Sequence, residues 1–108
     1  MSKNGEDVVP LVGMMLSRMA KRGPDGAGVA TEKSIVRSST VKGLDLDNLT
    51  GRRVLGHARL AIVGGTTCGT QPFRSCDGRI TLEHNGEIYN YKKLKGELGE
   101  HNFTTKTD

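Results

Sequence analysis

The chain has 108 residues, which is one domain at most. Leu, Ile, Val and Phe supply about 22% of them, just above the roughly 20% below which chains stay disordered, so a thin core is expected. No apolar run approaches the roughly 20 residues that span a bilayer, and the N-terminus shows no apolar signal segment. The net charge is +4, but the basic residues are scattered among 12 acids and aromatic residues are few. Membrane, secreted and nucleic-acid-binding classes are therefore not expected.

Two cysteines, Cys68 and Cys76, are spaced too widely for a zinc knuckle and are too few for a disulfide framework. We expect free thiols in a reducing compartment, the cytoplasm, and no metal site.

A helix is predicted over residues 7–22. Asp7 can cap its start, and Pro10 falls in the first turn, where its missing N–H costs little. Gly23 and Pro24 end the helix. The apolar residues expected to form its core face are Val8, Val12, Met15, Leu16 and Met19.

Strands are predicted over 26–31 and 34–41, followed by a short helical turn over 44–49. Residues 53–63 are apolar on both faces, which is typical of a strand in a sheet that is covered on both sides.

Residues 64–78 read as a loop, and residues 79–84 read as a further strand. A last helix is predicted over 91–98, with Asn90 as its cap and Gly99 at its end. This order of elements predicts a layered α+β domain.

Four short blocks carry chemistry-bearing residues: RGPDG at 22–26, GHARLAIV at 56–63, NGEIYN at 85–90 and TKTD at 105–108. In this order and spacing they resemble the glutaminase domain of class II glutamine amidotransferases, a group of N-terminal nucleophile hydrolases. RGPDG, RLAIV, QP at 71–72 and NGEIYN resemble the asparagine synthetase type most.

The resemblance implies a four-layer αββα sandwich, of which residues 1–108 would form an incomplete domain. It also implies that the thiolate of an N-terminal cysteine attacks the side-chain amide of glutamine, with its own α-amino group as base. Glutamate and ammonia are formed, and a synthetase domain or subunit receives the ammonia, with aspartate as the expected acceptor. No cofactor is expected in this domain, since ATP and Mg²⁺ would belong to the synthetase domain.

Asn85 and Gly86 match the oxyanion pair of the family, through a side-chain N–H and a backbone N–H. An Asn-Gly hairpin turn is the alternative reading of these two residues. Arg59 matches the arginine that holds the α-carboxylate of glutamine, and the alternative is an internal ion pair with Glu83 or Glu87.

Further residues match the glutamine site less specifically. The resemblance implies that the glutamine site is lined by the backbone of four residues, Leu60, Ala61, Ile62 and Val63. The alternative is that these residues only belong to the hydrophobic core. Glu87 and Asp108 match positions near the substrate ammonium, although a terminal residue such as Asp108 usually frays. His57 reads as a packed, hydrogen-bonded core histidine, while His84 and His101 have no assigned role.

The chain departs from the family at its start, where Met1-Ser2 stands and no cysteine precedes. The nucleophile, the first strand and the C-terminal half are therefore expected to be missing. A binding module without the nucleophile is one alternative. A relative of glutamate synthase or of the phosphoribosyl amidotransferases is another, because residues 30–56 are long for an asparagine synthetase and Gly64 replaces a frequent Asp. The open edge left by a missing strand favours homo-oligomers.

Overall fold

The computed structural model describes residues 1–61, 69–99, 101 and 103. Helices and two small antiparallel sheets are combined in an arrangement consistent with the predicted α+β class. The elements are α1 (Val9–Met19), β1 (Ala27–Ala30), β2 (Ile35–Ser38), a 3₁₀ turn (Val41–Gly43), β3 (Leu55–Ala58), β4 (Phe73–Arg74), β5 (Thr81–Leu82) and α2 (Tyr91–Leu98). In the described part of the chain, no helix is long and apolar enough to cross a membrane.

Helix α1 packs on one face of an antiparallel three-stranded sheet in the order β2-β1-β3. The close approach occurs at Gly56, where an added Cβ would lie 2.5 Å from a methyl carbon of Val12 and 3.3 Å from one of Leu16. The core of this layer consists of Val9, Leu16, Val29 and Leu49. A glycine in β3 thus lets the helix sit directly on the sheet.

The other face of the sheet is covered by the segment that runs from residue 69 into β4. The carbonyl of Gln71 lies against β1, since a Cβ added at Gly28 would be 2.0 Å from that oxygen. The Gln71–Pro72 peptide bond is cis. The guanidinium of Arg37 on β2 donates to the Pro72 carbonyl at 3.1 and 2.5 Å. Gly28 and Arg37 are register partners, so both contacts lie on the face opposite α1.

Strands β4 and β5 form a hairpin, with Phe73 opposite Leu82 and Arg74 opposite Thr81. Arg74 ties the hairpin to the end of β1, because its guanidinium donates to the carbonyl of Thr31 at 3.0 Å. At the hairpin turn, the Ser75 hydroxyl and then the backbone and side chain of Arg79 bind Asp77. These bonds hold the pKa of Asp77 down at about 2.

Several predicted bounds were too long. The first helix begins at Val9 and ends at Met19, and its N-cap is Val8 with no side-chain capping bond, so the prediction of Asp7 as the cap is wrong. Asp7 lies one residue earlier, and its carboxylate accepts from the Val9 N–H at 3.1 Å. Met15 and Met19, predicted in its core face, are 55% and 46% exposed. Only Leu55–Ala58 of the strand predicted over 53–63 pair with β1, and residues 62–68 lie outside the described part.

Other elements differ in position. The helical turn predicted over 44–49 lies earlier, at Val41–Gly43, and strand β4 lies inside the predicted loop 64–78. The strand predicted over 79–84 is reduced to Thr81–Leu82, and the side chains of Ile80 and Leu82 are 66% and 57% exposed. The bounds of α2 are confirmed, but the side chain of Asn90 makes no capping hydrogen bond.

Candidate functional site

Arg59 follows β3 directly, and the RGPDG loop fixes its position. Its N–H donates to the Gly26 carbonyl at 2.8 Å, and its carbonyl accepts from the Asp25 N–H at 3.0 Å. The Asp25 carboxylate accepts from the Ala61 N–H at 2.9 Å. The first and second sequence blocks are thus joined by three hydrogen bonds, which hold residues 59–61 against the loop after α1.

The side chain of Arg59 is buried, with 8% of the residue exposed. Its guanidinium lies against the backbone of Gly69, where an added Cβ would be 2.7 Å from Nη2. The alternative of an internal ion pair between Arg59 and Glu83 or Glu87 stays a prediction. A buried guanidinium suits the two-pronged recognition of a carboxylate.

Gln71 joins the same segment to the third block. Its Oε1 accepts from the His84 N–H at 2.6 Å, and its Nε2 donates to the His84 carbonyl at 2.9 Å. Asn85 and Gly86 follow immediately and are exposed. Gly69 and Gln71 are two residues apart, so their Cα atoms are separated by at most about 7 Å. The segment 69–71 therefore contacts both the buried arginine and His84, the residue that precedes the Asn-Gly block.

The Asn-Gly pair does not form the predicted alternative, a type I′ hairpin turn. Such a turn needs positive φ at both central residues, and neither Asn85 nor Gly86 has one. The residues that follow lead instead into α2 at Tyr91. The N–H groups of this block thus lie on a connection into a helix.

His57 is the register partner of Gly28 and is half-buried. Its Nδ1 is buried with no hydrogen-bond partner among the described residues, so the prediction of a hydrogen-bonded histidine is wrong at that atom. Burial, and then the positive charge of Arg59, lower its pKa. Burial raises the pKa of Glu83, whose Oε2 also has no partner in this part of the chain.

The remaining candidates occupy varied environments. Leu60 is 59% exposed, which excludes it from the core, and Ala61 is half-buried. Glu87 is exposed. Ile62, Val63 and Asp108 lie outside the described residues, as does Cys68, whereas Cys76 is an exposed free thiol at the hairpin turn.

Sequence reasoning missed the contacts made by Gly69 and Gln71. The QP dipeptide contributes to the family resemblance, but nothing in its local pattern indicates a bond to His84. No group of His, Cys, Asp and Glu side chains within the described residues could hold a metal ion.

These contacts define a small α+β domain in which one segment lies against a buried arginine and is hydrogen-bonded to His84, the residue before an exposed Asn-Gly pair. The chain belongs to the glutamine amidotransferase domain family, whose model matches residues 42–108. The resemblance to class II glutamine amidotransferases is thereby confirmed at the level of the class. No solved structure matches the chain.

Three relatives illustrate the range of the family. The chain is 34% identical over 110 residues to glutamine–fructose-6-phosphate aminotransferase (isomerizing) of Methanothermobacter thermautotrophicus, covering 92% of this chain and 19% of that protein. It is 32% identical over 118 residues to amidophosphoribosyltransferase of Archaeoglobus fulgidus, covering 97% and 26%. It is 39% identical over 92 residues to a probable glutamine-hydrolyzing asparagine synthetase of Schizosaccharomyces pombe, covering 84% and 13%.

The chain thus spans between 13% and 26% of the length of these three relatives. Their names denote three different enzymes at similar identity, so the similarity does not single out the asparagine synthetase type.

Proposed function

We propose that this chain supplies the glutamine pocket of a glutaminase domain that releases ammonia for transfer to an acceptor. One observation carries the proposal: the segment 69–71 lies against the buried guanidinium of Arg59 and also binds the residue before Asn85. On this basis, glutamine is proposed to lie between Arg59 and the N–H groups of the Asn-Gly block. Hydrolysis of the glutamine side-chain amide requires a group that binds the substrate α-carboxylate. It also requires nearby N–H donors for the oxyanion that forms on the amide carbon.

Each residue then has a role in the proposed reaction. Arg59 binds the α-carboxylate of glutamine, and the backbone of residues 60–63 lines the site. The side-chain N–H of Asn85 and the backbone N–H of Gly86 stabilise the oxyanion of the tetrahedral intermediate. Glu87 and Asp108 bind the substrate ammonium. The attacking group is an N-terminal cysteine thiolate of the whole protein, with its own amine as base. Residues 1–108 accordingly form part of a larger αββα sandwich.

For the acceptor we propose aspartate, activated in a synthetase domain that uses ATP and Mg²⁺. The RGPDG, RLAIV and NGEIYN blocks support this branch, together with the similarity to the Schizosaccharomyces pombe asparagine synthetase. The second candidate is a sugar-phosphate acceptor. It is favoured by the similarity to the fructose-6-phosphate aminotransferase and the amidophosphoribosyltransferase.

The glutaminase proposal is tested on the product of the whole gene, read upstream of Met1 for an in-frame Cys-Gly codon pair. Glutamate formation from glutamine is expected. Arg59→Ala should weaken glutamine binding about 100-fold, because a buried carboxylate loses its charged partner. Arg53→Ala is the matched control, since the Arg53 side chain is 73% exposed and pairs with Glu32 at 3.6 Å.

Absence of glutamate formation in the whole protein would overturn the glutaminase proposal. Calorimetric heat of glutamine binding without turnover would then identify the binding-module alternative, with Arg59→Ala abolishing the heat. The acceptor is tested separately, by adding aspartate with ATP, fructose 6-phosphate, or phosphoribosyl diphosphate. Glutamine consumption that rises only with a sugar phosphate would replace aspartate as the acceptor and leave the glutaminase proposal intact.

A further inference from the structure

The side chain of Gln71 makes the hydrogen bonds that a backbone pair would make if the pairing of β4 with β5 continued to this position. The register Phe73↔Leu82 and Arg74↔Thr81, continued by two residues toward Gln71, sets Gln71 opposite His84. Hydrogen-bonded pairs recur at every second residue of an antiparallel ladder. The Ser75 N–H donates to the Ile80 carbonyl at 2.9 Å, so the Gln71–His84 position is also a hydrogen-bonded one.

The backbone carbonyl of Gln71 is not directed at His84, because it lies against Gly28 on the three-stranded sheet. The side-chain amide takes over both roles, accepting from the His84 N–H at 2.6 Å and donating to the His84 carbonyl at 2.9 Å. One side chain therefore fixes both backbone groups of His84 while the Gln71 backbone is held by the sheet.

Because its backbone is held by Gln71, His84 also restricts the positions of Asn85 and Gly86. Its imidazole lies beside Gly86, where an added Cβ would be 2.7 Å from Nε2. The backbone of His84 fixes the chain entering Asn85, and the imidazole lies against the Cα of Gly86. Both residues of the Asn-Gly pair are otherwise exposed, so this contact and the chain connection orient them.

We infer that Gln71 is a positioning residue which, through His84, sets the direction of the Gly86 N–H toward the developing oxyanion. This inference rests on the proposed glutaminase function. Oxyanion donors act mainly in the transition state, and a misplacement of about 1 Å in a reactive arrangement costs up to about 100-fold in rate. Loss of the Gln71 side chain should therefore lower kcat and leave glutamine binding at Arg59 intact.

The kinetic test compares Gln71→Ala and Gln71→Glu in the whole protein. Gln71→Glu keeps an acceptor for the His84 N–H but cannot donate to the His84 carbonyl. Both variants should lower kcat about 10- to 100-fold, with KM for glutamine within about twofold of the wild type. Asp77→Ala is the control, because it loosens the far end of the same hairpin, where Asp77 accepts from Ser75 and Arg79. It should leave kcat unchanged.

An unchanged kcat in both Gln71 variants, or a rise in KM alone, would overturn the inference. So would an equal loss of kcat in Asp77→Ala, which would assign the effect to hairpin stability. Hydrogen-exchange mass spectrometry on peptides that cover residues 82–90 gives a readout independent of activity. Exchange there should be at least about tenfold faster in Gln71→Ala, since the His84 N–H loses its acceptor. Unchanged exchange overturns the inference even in an active protein. An inactive wild type overturns the glutaminase proposal and, with it, the oxyanion role assigned to Gly86.

Discussion

His57 combines partial burial with an Nδ1 atom that has no partner in the described part of the structure. Burial, followed by the charge of Arg59, places its folded-state pKa below the ordinary value of 6.5. The unfolded chain then binds the proton more readily. The stability linked to His57 is therefore fully present above pH 6.5 and is lost as the pH falls through the folded-state pKa. We expect the free energy of unfolding to decrease with falling pH over this window.

The test of this pH dependence is urea denaturation of wild type and His57→Gln at several pH values. The variant should show a shallower decrease below pH 6.5. Glu83 titrates in the opposite sense. Its raised folded-state pKa means that stability falls as the pH rises from 4.5 through that pKa. Glu83 is present in both proteins, so the difference between the two curves isolates His57, and parallel curves would contradict the prediction.

At the residue scale, the sequence identified Arg59 as a candidate because an arginine in an apolar run must be satisfied by a specific partner. Two features could not be predicted from the sequence: the His57 Nδ1 atom without a partner among the described residues, and the two hydrogen bonds between the Gln71 side chain and the His84 backbone. Both depend on which residues tertiary packing brings together over 13 or more positions. The local sequence pattern carries no information about such pairings. At Gln71 a side-chain amide takes the place of a backbone hydrogen bond between two strands, and the spacing of apolar residues does not predict such a replacement.

At the level of elements, Gly28 controls how the second layer docks on the sheet. An added Cβ would lie 2.0 Å from the carbonyl oxygen of Gln71, a backbone atom that cannot rotate away. Gly28→Ala should therefore destabilise the protein by about 3 kcal/mol, at the upper end for overpacking, because strand β1 and segment 69–72 must separate. Chemical denaturation measures the change. An unchanged midpoint would mean that this segment does not lie against β1.

A matched substitution in α2 should have the opposite effect. Gly96 has no atom within 4 Å of an added Cβ and lies inside the helix Tyr91–Leu98. Gly96→Ala should raise stability by up to about 1 kcal/mol, the helix-propensity difference between the two residues, or increase the helical signal in circular dichroism. A loss of stability as large as that of Gly28→Ala would show that α2 is packed more closely than the structure has it.

The same contrast explains which elements were predictable. The end of α2 is set locally, because Gly99 adopts a positive φ of 52° there, and the sequence located this end correctly. Its start after Asn90 was also located correctly, although the Asn90 side chain makes no capping hydrogen bond. The strand predicted over 53–63 has no local stop after Ala58. It ends there because the RGPDG loop takes over the backbone groups of Arg59 by hydrogen bonds, which is a tertiary effect. The short strand Phe73–Arg74 pairs with Thr81–Leu82, and Arg74 joins it to the chain after β1 by donating to the carbonyls of Thr31 and Lys33.

On the scale of the whole molecule, apolar side chains are divided unevenly between the core and the surface. The hydrophobic cluster of the described part centres on four buried residues: Val9, Leu16, Val29 and Leu49. Helix α1 also carries four apolar side chains that are 46–57% exposed: Leu11, Met14, Met15 and Met19. Strand β3 lies at an edge of its sheet. Exposed apolar patches and open strand edges both promote association.

The 108-residue chain should therefore self-associate, with a marginally stable monomer at low concentration, since small domains have only about 5–15 kcal/mol of stability. Sedimentation velocity over a range of concentrations tests this prediction. The double substitution Leu11→Lys and Met15→Lys places charge on the exposed face of α1 and should shift the distribution toward monomer. Ile80→Lys, which removes a 66% exposed side chain from the hairpin, is the control and should shift it less. A wild-type chain that stays monomeric throughout, with slow amide exchange across β1 and β3, would show that the small core suffices.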